Sequence, residues 1–203
     1  MGVHRVQEAA ESGQLPVAAE TAGQHELGCR SRRGYVQLYT GTGKGKTTAA
    51  LGLAVRAAGH GLRVYIGQFL KGAECGEHVE LLRHPLITVE QFGVERFANR
   101  DEPLWTDHVE RSHHGLERCC EALLGGHDDV VVLDEVDVAI SFGLLSTDDV
   151  LQLIELRPPH VELVLTGREA PFGLVQRADL VTEMREVKHY YREGVLSRPG
   201  IEY

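Results

Sequence analysis

Residues 40–48 read Thr40-Gly41-Thr42-Gly43-Lys44-Gly45-Lys46-Thr47-Thr48, a glycine-rich run closing on a lysine and two threonines. Glycines in such a run let backbone N–H groups turn inward with no Cβ in the way. A helix opening at its end adds unpaired donors and partial positive charge. Lys46 supplies a mobile cation for phosphates, and Thr47 offers a hydroxyl to Mg²⁺ or a phosphate oxygen. The chemistry is polyphosphate binding. The strict pattern G-x-x-x-x-G-K-[ST] wants glycine at position 40, where this chain has Thr40, and Gly41 arrives one residue late. The loop is a variant, and its phosphate geometry is expected to differ from that of ordinary ATPases.

Two more polar groups stand at the ends of apolar runs. Val130-Val131-Val132-Leu133 leads into Asp134-Glu135, a Walker-B pattern in which a carboxylate reaches Mg²⁺ directly or through water. Thr166-Gly167-Arg168 follows another such run, and Arg168 would face phosphate or bridge to an acidic neighbour. There is no Ser-His-Asp or Cys-His arrangement to supply a protein nucleophile.

These residues need a frame that brings strand ends together. Strands are expected over residues 35–40, 62–69, 87–92, 130–134, 161–166 and 180–184. Helices are expected over 46–58, 77–83, 104–124, 148–156 and 171–177, with Ser146 or Thr147 capping the fourth. Strands alternating with helices imply right-handed crossovers. The predicted fold class is therefore α/β: a mainly parallel, P-loop NTPase-like sheet with helices on both faces, in three α/β/α layers. In such sheets ligands bind beyond the carboxyl ends of the strands, where the polar residues above lie.

The bulk composition sets bounds. The chain has 203 residues, 42% hydrophobic and 25% charged, which suits one domain with a full core. Residues 34–203 are read as that domain, and 1–33, rich in Glu, Ala, Gly and Gln, as a flexible extension. A formal net charge of −9 argues against a broad nucleic-acid surface, so any phosphate site must be local. No run is apolar enough for a membrane span and the start lacks a signal-peptide core, so a cytoplasmic protein is expected. The four cysteines, Cys29, Cys75, Cys119 and Cys120, form no C-x-x-C pair and are read as reduced thiols. His108, His113 and His114 fall on a predicted helix without zinc-ligand spacing and are read as a solvated face.

Longer runs add an identity to this chemistry. The stretch from Arg33-Gly34-Tyr35 to Gln68-Phe69-Leu70-Lys71-Gly72 resembles the P-loop type of ATP:corrinoid adenosyltransferase, and the loop from Gly41 to Thr48 carries that family's variant form. The likeness continues through Arg56-Ala57-Ala58-Gly59-His60-Gly61, Leu133-Asp134-Glu135 and Thr166-Gly167-Arg168. It runs on through residues 178–184 and Val187-Lys188-His189 to Gly200-Ile201-Glu202-Tyr203, covering about residues 33–203. The resemblance implies an enzyme of cobalamin synthesis or salvage in which Co(I) of a corrinoid attacks C5′ of ATP and inorganic triphosphate leaves. It implies that Gly43, Gly45, Lys46, Thr47 and Thr48 hold the triphosphate within a nucleotide-binding loop that also includes Gly41, Thr42 and Lys44, with Arg56 contacting phosphate from farther along the helix. Gln68 and Lys71 would stand at the site from a neighbouring strand end, and Arg168 would meet phosphate or corrinoid carboxamides. Thr47 and Glu135 would take Mg²⁺, and Phe97 and Trp105 would wedge under the corrin, while Phe92 is open to either that role or core packing. The implied partners are a flavoprotein-type reductase supplying Co(I) and a second copy in a homodimer.

Two other functions share these residues: a kinase or NTPase cleaving at the γ-phosphate, and a nucleotide sensor that turns nothing over. Supplying a corrinoid separates all three.

Overall fold

The computed structural model describes residues 33–94 and 104–203. The extension expected over 1–33 lies, apart from Arg33, outside them. Six parallel strands form one sheet: β1 (Val36–Thr40), β2 (Val64–Phe69), β3 (Ile87–Phe92), β4 (Val130–Asp134), β5 (Glu162–Thr166) and β6 (Leu180–Glu183). Their spatial order is β3-β2-β4-β5-β1-β6. Parallel neighbours require crossovers, and the helices supply them: α1 (Lys46–Gly59), α2 (Gly76–Leu81), α3 (Leu104–Leu124), α4 (Val136–Ser141), α5 (Thr147–Leu156) and α6 (Phe172–Arg177). A 3-10 turn, Tyr190–Glu193, follows β6. Among the described residues, no helix is long and apolar enough to cross a membrane.

The continuous apolar run of β4 is explained by its place. Val130 and Val132 face one buried cluster while Val131 and Leu133 face another. A strand covered on both faces has no polar side to show. The first cluster holds α1, whose Ala50, Ala54, Ala57 and Ala58 recur at helical spacing and bring its backbone close to the sheet. The second holds α3 to α6. β6 is an edge strand, paired only with β1 and exposed along its length.

Local chemistry sets the element ends. Ser146 caps α5: its hydroxyl accepts from Asp149 N at 3.1 Å, and the Asp149 carboxylate accepts from Ser146 N at 2.9 Å, a reciprocal capping box. β2 starts at Val64 rather than 62, because the Leu62 amide closes the end of α1 on Ala57 O at 3.1 Å. β5 likewise starts one residue late, since Val161 N bonds back to Pro158 O at 3.1 Å. The helix α4 has no counterpart in the sequence expectation. Its segment, Val136-Asp137-Val138-Ala139-Ile140-Ser141, is half β-branched, and burial of Val136 and Ala139 overrides that weak preference.

One histidine assignment needs correction. His113 and His114 are exposed, but His108 is 1% exposed. It lies on the inward stripe of α3 with Ser112, Gly115, Cys119 and Leu123, a spacing of three and four that faces the core. Phe92 is a core residue: it is 6% exposed, with its ring 6.0 Å from that of Phe69 and edge-on to His114. Cys75, Cys119 and Cys120 are free thiols.

Close packing here gives a direct test. A Cβ on Gly67 would fall 2.5 Å from Cys119 Sγ and 3.3 Å from the Phe92 ring. Gly67→Ala is therefore expected to destabilise by about 1–3 kcal/mol through overpacking. Gly52 on α1 has open space around it. Gly52→Ala should be neutral or stabilising by up to about 1 kcal/mol. Urea unfolding of both variants checks the pair, and equal midpoints would refute the packing account.

Candidate nucleotide site

The glycine-rich run leaves β1 at Thr40 and enters α1 at Lys46, with Gly45 as N-cap at φ 119°. Helical geometry leaves the amides of Lys46, Thr47 and Thr48 without an i−4 acceptor, a ready anion site. The loop is pinned from below by the end of β6. Gly43 N donates to Met184 O at 2.6 Å, and Met184 N donates to Thr40 O at 2.7 Å. A Cβ on Gly41 would meet Met184 O at 2.5 Å and one on Gly43 would meet the same backbone at 2.8 Å, so both positions need glycine. Thr40, the departure from the strict motif, adds a tie that glycine could not make. Its hydroxyl accepts from Ala170 N at 3.2 Å and joins the loop to the segment after β5. Lys46, 5% exposed, folds over the loop and donates to Gly41 O at 2.7 Å and Gly43 O at 2.8 Å.

Asp134, at the end of β4 and fully buried, joins four strand ends. Its Oδ1 accepts from Thr47 Oγ1 at 2.9 Å and Thr166 Oγ1 at 2.7 Å. Its Oδ2 accepts from Gln68 Nε2 at 3.2 Å and Lys71 Nζ at 3.0 Å. Thr166 Oγ1 in turn accepts from Glu135 N at 2.9 Å, and Gln68 Oε1 accepts from Gln91 Nε2 at 3.1 Å. Glu135 sits next in the chain at φ 63°, a left-handed conformation that costs a non-glycine residue energy. The pinned amide offsets that cost.

Above the loop lies a cavity of about 580 Å³. It is lined by the loop residues 43–48 and Leu51, by Lys71, Gly76 and Glu77, by Glu135 and Arg168, and by His189 with residues 200–203. The family model for ATP:corrinoid adenosyltransferase BtuR/CobO/CobP matches residues 32–203. This chain belongs to the ATP:corrinoid adenosyltransferase family. Corrinoid adenosyltransferases of Pseudomonas aeruginosa and Salmonella typhimurium are each 35% identical to it, over 86% of this chain and 86% and 88% of their own lengths. That of Escherichia coli K12 is 33% identical over 86% of this chain and 88% of its own. Membership makes the chain a transferase of adenosylcobalamin synthesis, with ATP and a corrinoid as substrates.

In this adenosyltransferase the expected site residues do not all meet. Gly43, Lys44, Gly45, Lys46, Thr47, Thr48, Lys71, Glu135 and Arg168 line one cavity. Gly41 lies beneath it as a carbonyl partner of Lys46. Thr42 is exposed and outside the lining. Gln68 is fully buried and works through Asp134. Arg56 is exposed in the last turn of α1, outside the cavity lining. Trp105, expected under the corrin, packs partly against the apolar core from the first turn of α3, its ring 6.4 Å from His108. Phe97 lies outside the described residues. The sequence reading missed Glu77, His189 and the cavity role of residues 200–203. The last had a signal in the run Gly200-Ile201-Glu202-Tyr203, but not a role; Glu77 had none.

The adenosyltransferase cavity holds opposed charges in low dielectric. Burial, aided by Arg168, lowers the Lys46 ammonium from its ordinary value, and Glu135 opposes the shift. Burial would also lower Lys71, yet Asp134 and Glu77 outweigh it and the group ends raised. Burial and then Asp134 raise the Glu135 carboxyl. Burial and then Glu135 push Asp137 up to about 7, and both its carboxylate oxygens are buried without a partner. Among the described residues, no three His, Cys, Asp or Glu form a metal cage. Mg²⁺ on a triphosphate needs only one or two protein oxygens.

Proposed function

We propose that this cavity binds ATP with its triphosphate on the loop and presents C5′ to the Co(I) centre of a corrinoid. The cobalt electron pair forms the Co–C bond, the C5′–O bond breaks, and its electron pair leaves with inorganic triphosphate. The observation that carries the reading is the convergence of Lys46, the α1 N-terminus, Glu135 and Arg168 on one cavity. Triphosphate leaves readily only when its growing charge is met by fixed donors that need no reorganisation. Lys46 and the amides of Lys46, Thr47 and Thr48 provide them. Arg168 adds a second cation to the cavity lining. Glu135 and Thr47 would hold Mg²⁺, which supplies further charge neutralisation of the leaving group. No protein nucleophile is required, because the corrinoid brings its own. Asp134 orients Thr47 and Lys71 rather than touching substrate.

In this reading residues 34–203 form the catalytic domain, and 1–33 an extension to it. The enzyme acts in the cytoplasm as a homodimer, supplied with Co(I) by a flavoprotein-type reductase. Phe97 and Trp105 are the aromatic residues for displacing the lower corrinoid ligand, Trp105 after rotating out of its packing.

The test is anaerobic, with MgATP and chemically reduced cobalamin. Loss of the Co(I) spectrum, a light-sensitive Co–C product and inorganic triphosphate are expected. ADP and phosphate with Co(I) untouched would replace this reading with a kinase or NTPase. Glu135→Gln is expected to raise the Mg²⁺ concentration for half-maximal activity by about tenfold, the worth of one charge-assisted ligand. An unchanged Mg²⁺ titration would move the ligand role to another carboxylate.

A further inference from the structure

We propose that the C-terminal segment, residues 198–203, forms the wall that contacts the nucleoside end of the bound nucleotide, with Glu202 as the positioning residue that clamps it to Lys44 of the phosphate loop. The proposal rests on the reading of the cavity as an ATP site.

The segment 198–203 is tied at several points. Glu202 accepts from Lys44 Nζ at 2.9 Å, from Arg198 N at 2.8 Å and from the Tyr190 hydroxyl. Lys44 Nζ also donates to Ile201 O at 2.8 Å. Gly200, at φ 74°, turns the tail so that its amide donates to Tyr203 O at 2.7 Å. On the far side, Tyr203 O lies 3.9 Å from the point a Cβ on Gly76 would occupy. The tail therefore bridges the loop and the start of α2, and its residues 200–203 line the cavity between them.

The side chains divide by chemistry. The Glu202 side chain keeps only 15% of its exposure, whereas Ile201 and Tyr203, which line the same cavity, are 58% and 48% exposed. An acid beside a triphosphate site would repel the ligand unless neutralised. The Tyr190 hydroxyl, then Arg198 and Lys44, hold the Glu202 carboxyl far below its ordinary range, so it serves as a fixed counter-ion. The apolar surface of Ile201 and Tyr203, with Leu51 beside the loop, suits a ribose and purine rather than phosphate.

Three full-length proteins test this: wild type, Glu202→Ala, and a variant ending at Gly200. Calorimetry measures MgATP and Mg-tripolyphosphate binding, and steady-state assays give kcat and each KM. MgATP is expected to weaken about tenfold in both variants, the worth of one apolar wall and its clamp. Tripolyphosphate should bind no more weakly than to wild type, since the cradle is intact and Lys44 is released toward it. The KM for ATP should rise with kcat held within about twofold, as for loss of uniform binding. The melting temperature should move little, because ion pairs at the protein surface contribute little stability. Equal weakening of both ligands, unchanged MgATP binding, or a rise confined to the corrinoid KM would each overturn the proposal. A wild type that bound no MgATP would instead overturn the nucleotide reading beneath it.

Discussion

Lys46→Ala is expected to lower adenosyl transfer by about 10²–10³-fold, the usual loss when one preorganised donor to a developing anion is removed. The ammonium is 5% exposed and rests on the carbonyls of Gly41 and Gly43. Neither carbonyl belongs to a helix or strand, so both accept water once the side chain is gone, and the loop should keep its shape. The loss should therefore appear in kcat more than in stability, because the cation matters most as the triphosphate gains charge. Its low-dielectric setting, which lowers the ammonium below its ordinary value, is also what strengthens its pull on phosphate. Lys46→Arg should rescue little, since a planar fork does not fit where a compact ammonium sits between two carbonyls. Single-turnover rates with preformed Co(I) corrinoid check this. Transfer near the wild-type rate in Lys46→Ala would remove the lysine from the mechanism.

Asp134→Asn is expected to cost about 3 kcal/mol of stability, the range found when one partner of a buried ion pair is removed. It should lower the melting temperature by about 6–12 °C for a chain of this size. Asp134 is fully buried and accepts four hydrogen bonds, from Thr47, Thr166, Gln68 and Lys71. An amide in its place turns two hydrogens toward groups that are themselves donors. The Lys71 ammonium, with 24% of its side chain exposed, then loses its nearest counter-charge. Transfer should fall at least about tenfold as the Thr47 hydroxyl loses its orientation. A melting temperature within about 2 °C of wild type, read as about 1 kcal/mol or less, would show that Asp134 is not the hub of the strand ends.

The two variants differ in what the sequence tells about them. Lys46 is readable because its chemistry is local: glycines, lysine and threonines follow one another between a strand and a helix. Asp134 is visible as the end of an apolar strand, but its partners are 87, 32, 66 and 63 residues away. No short-range pattern can say which of them arrive. The same contrast divides the histidines. The run 104–124 reads as a helix at once, yet the face that His108 takes depends on what α3 packs against.

The sequence by itself determined the alternation of strands and helices, the glycine loop with Lys46 and Thr47, and the acidic end of β4. Apolar runs, glycine placement and β-branched content act within a few residues, and there local physics decides. Tertiary structure alone decided that Asp134 ties the strand ends together, that Met184 forces glycine at 41 and 43, and that Glu202 crosses 158 residues to hold Lys44. Those contacts follow from the strand order β3-β2-β4-β5-β1-β6, which brings the ends of β1, β2, β4 and β5 side by side. That order is set by how crossover helices bury their apolar faces on the sheet, a balance struck over the whole chain.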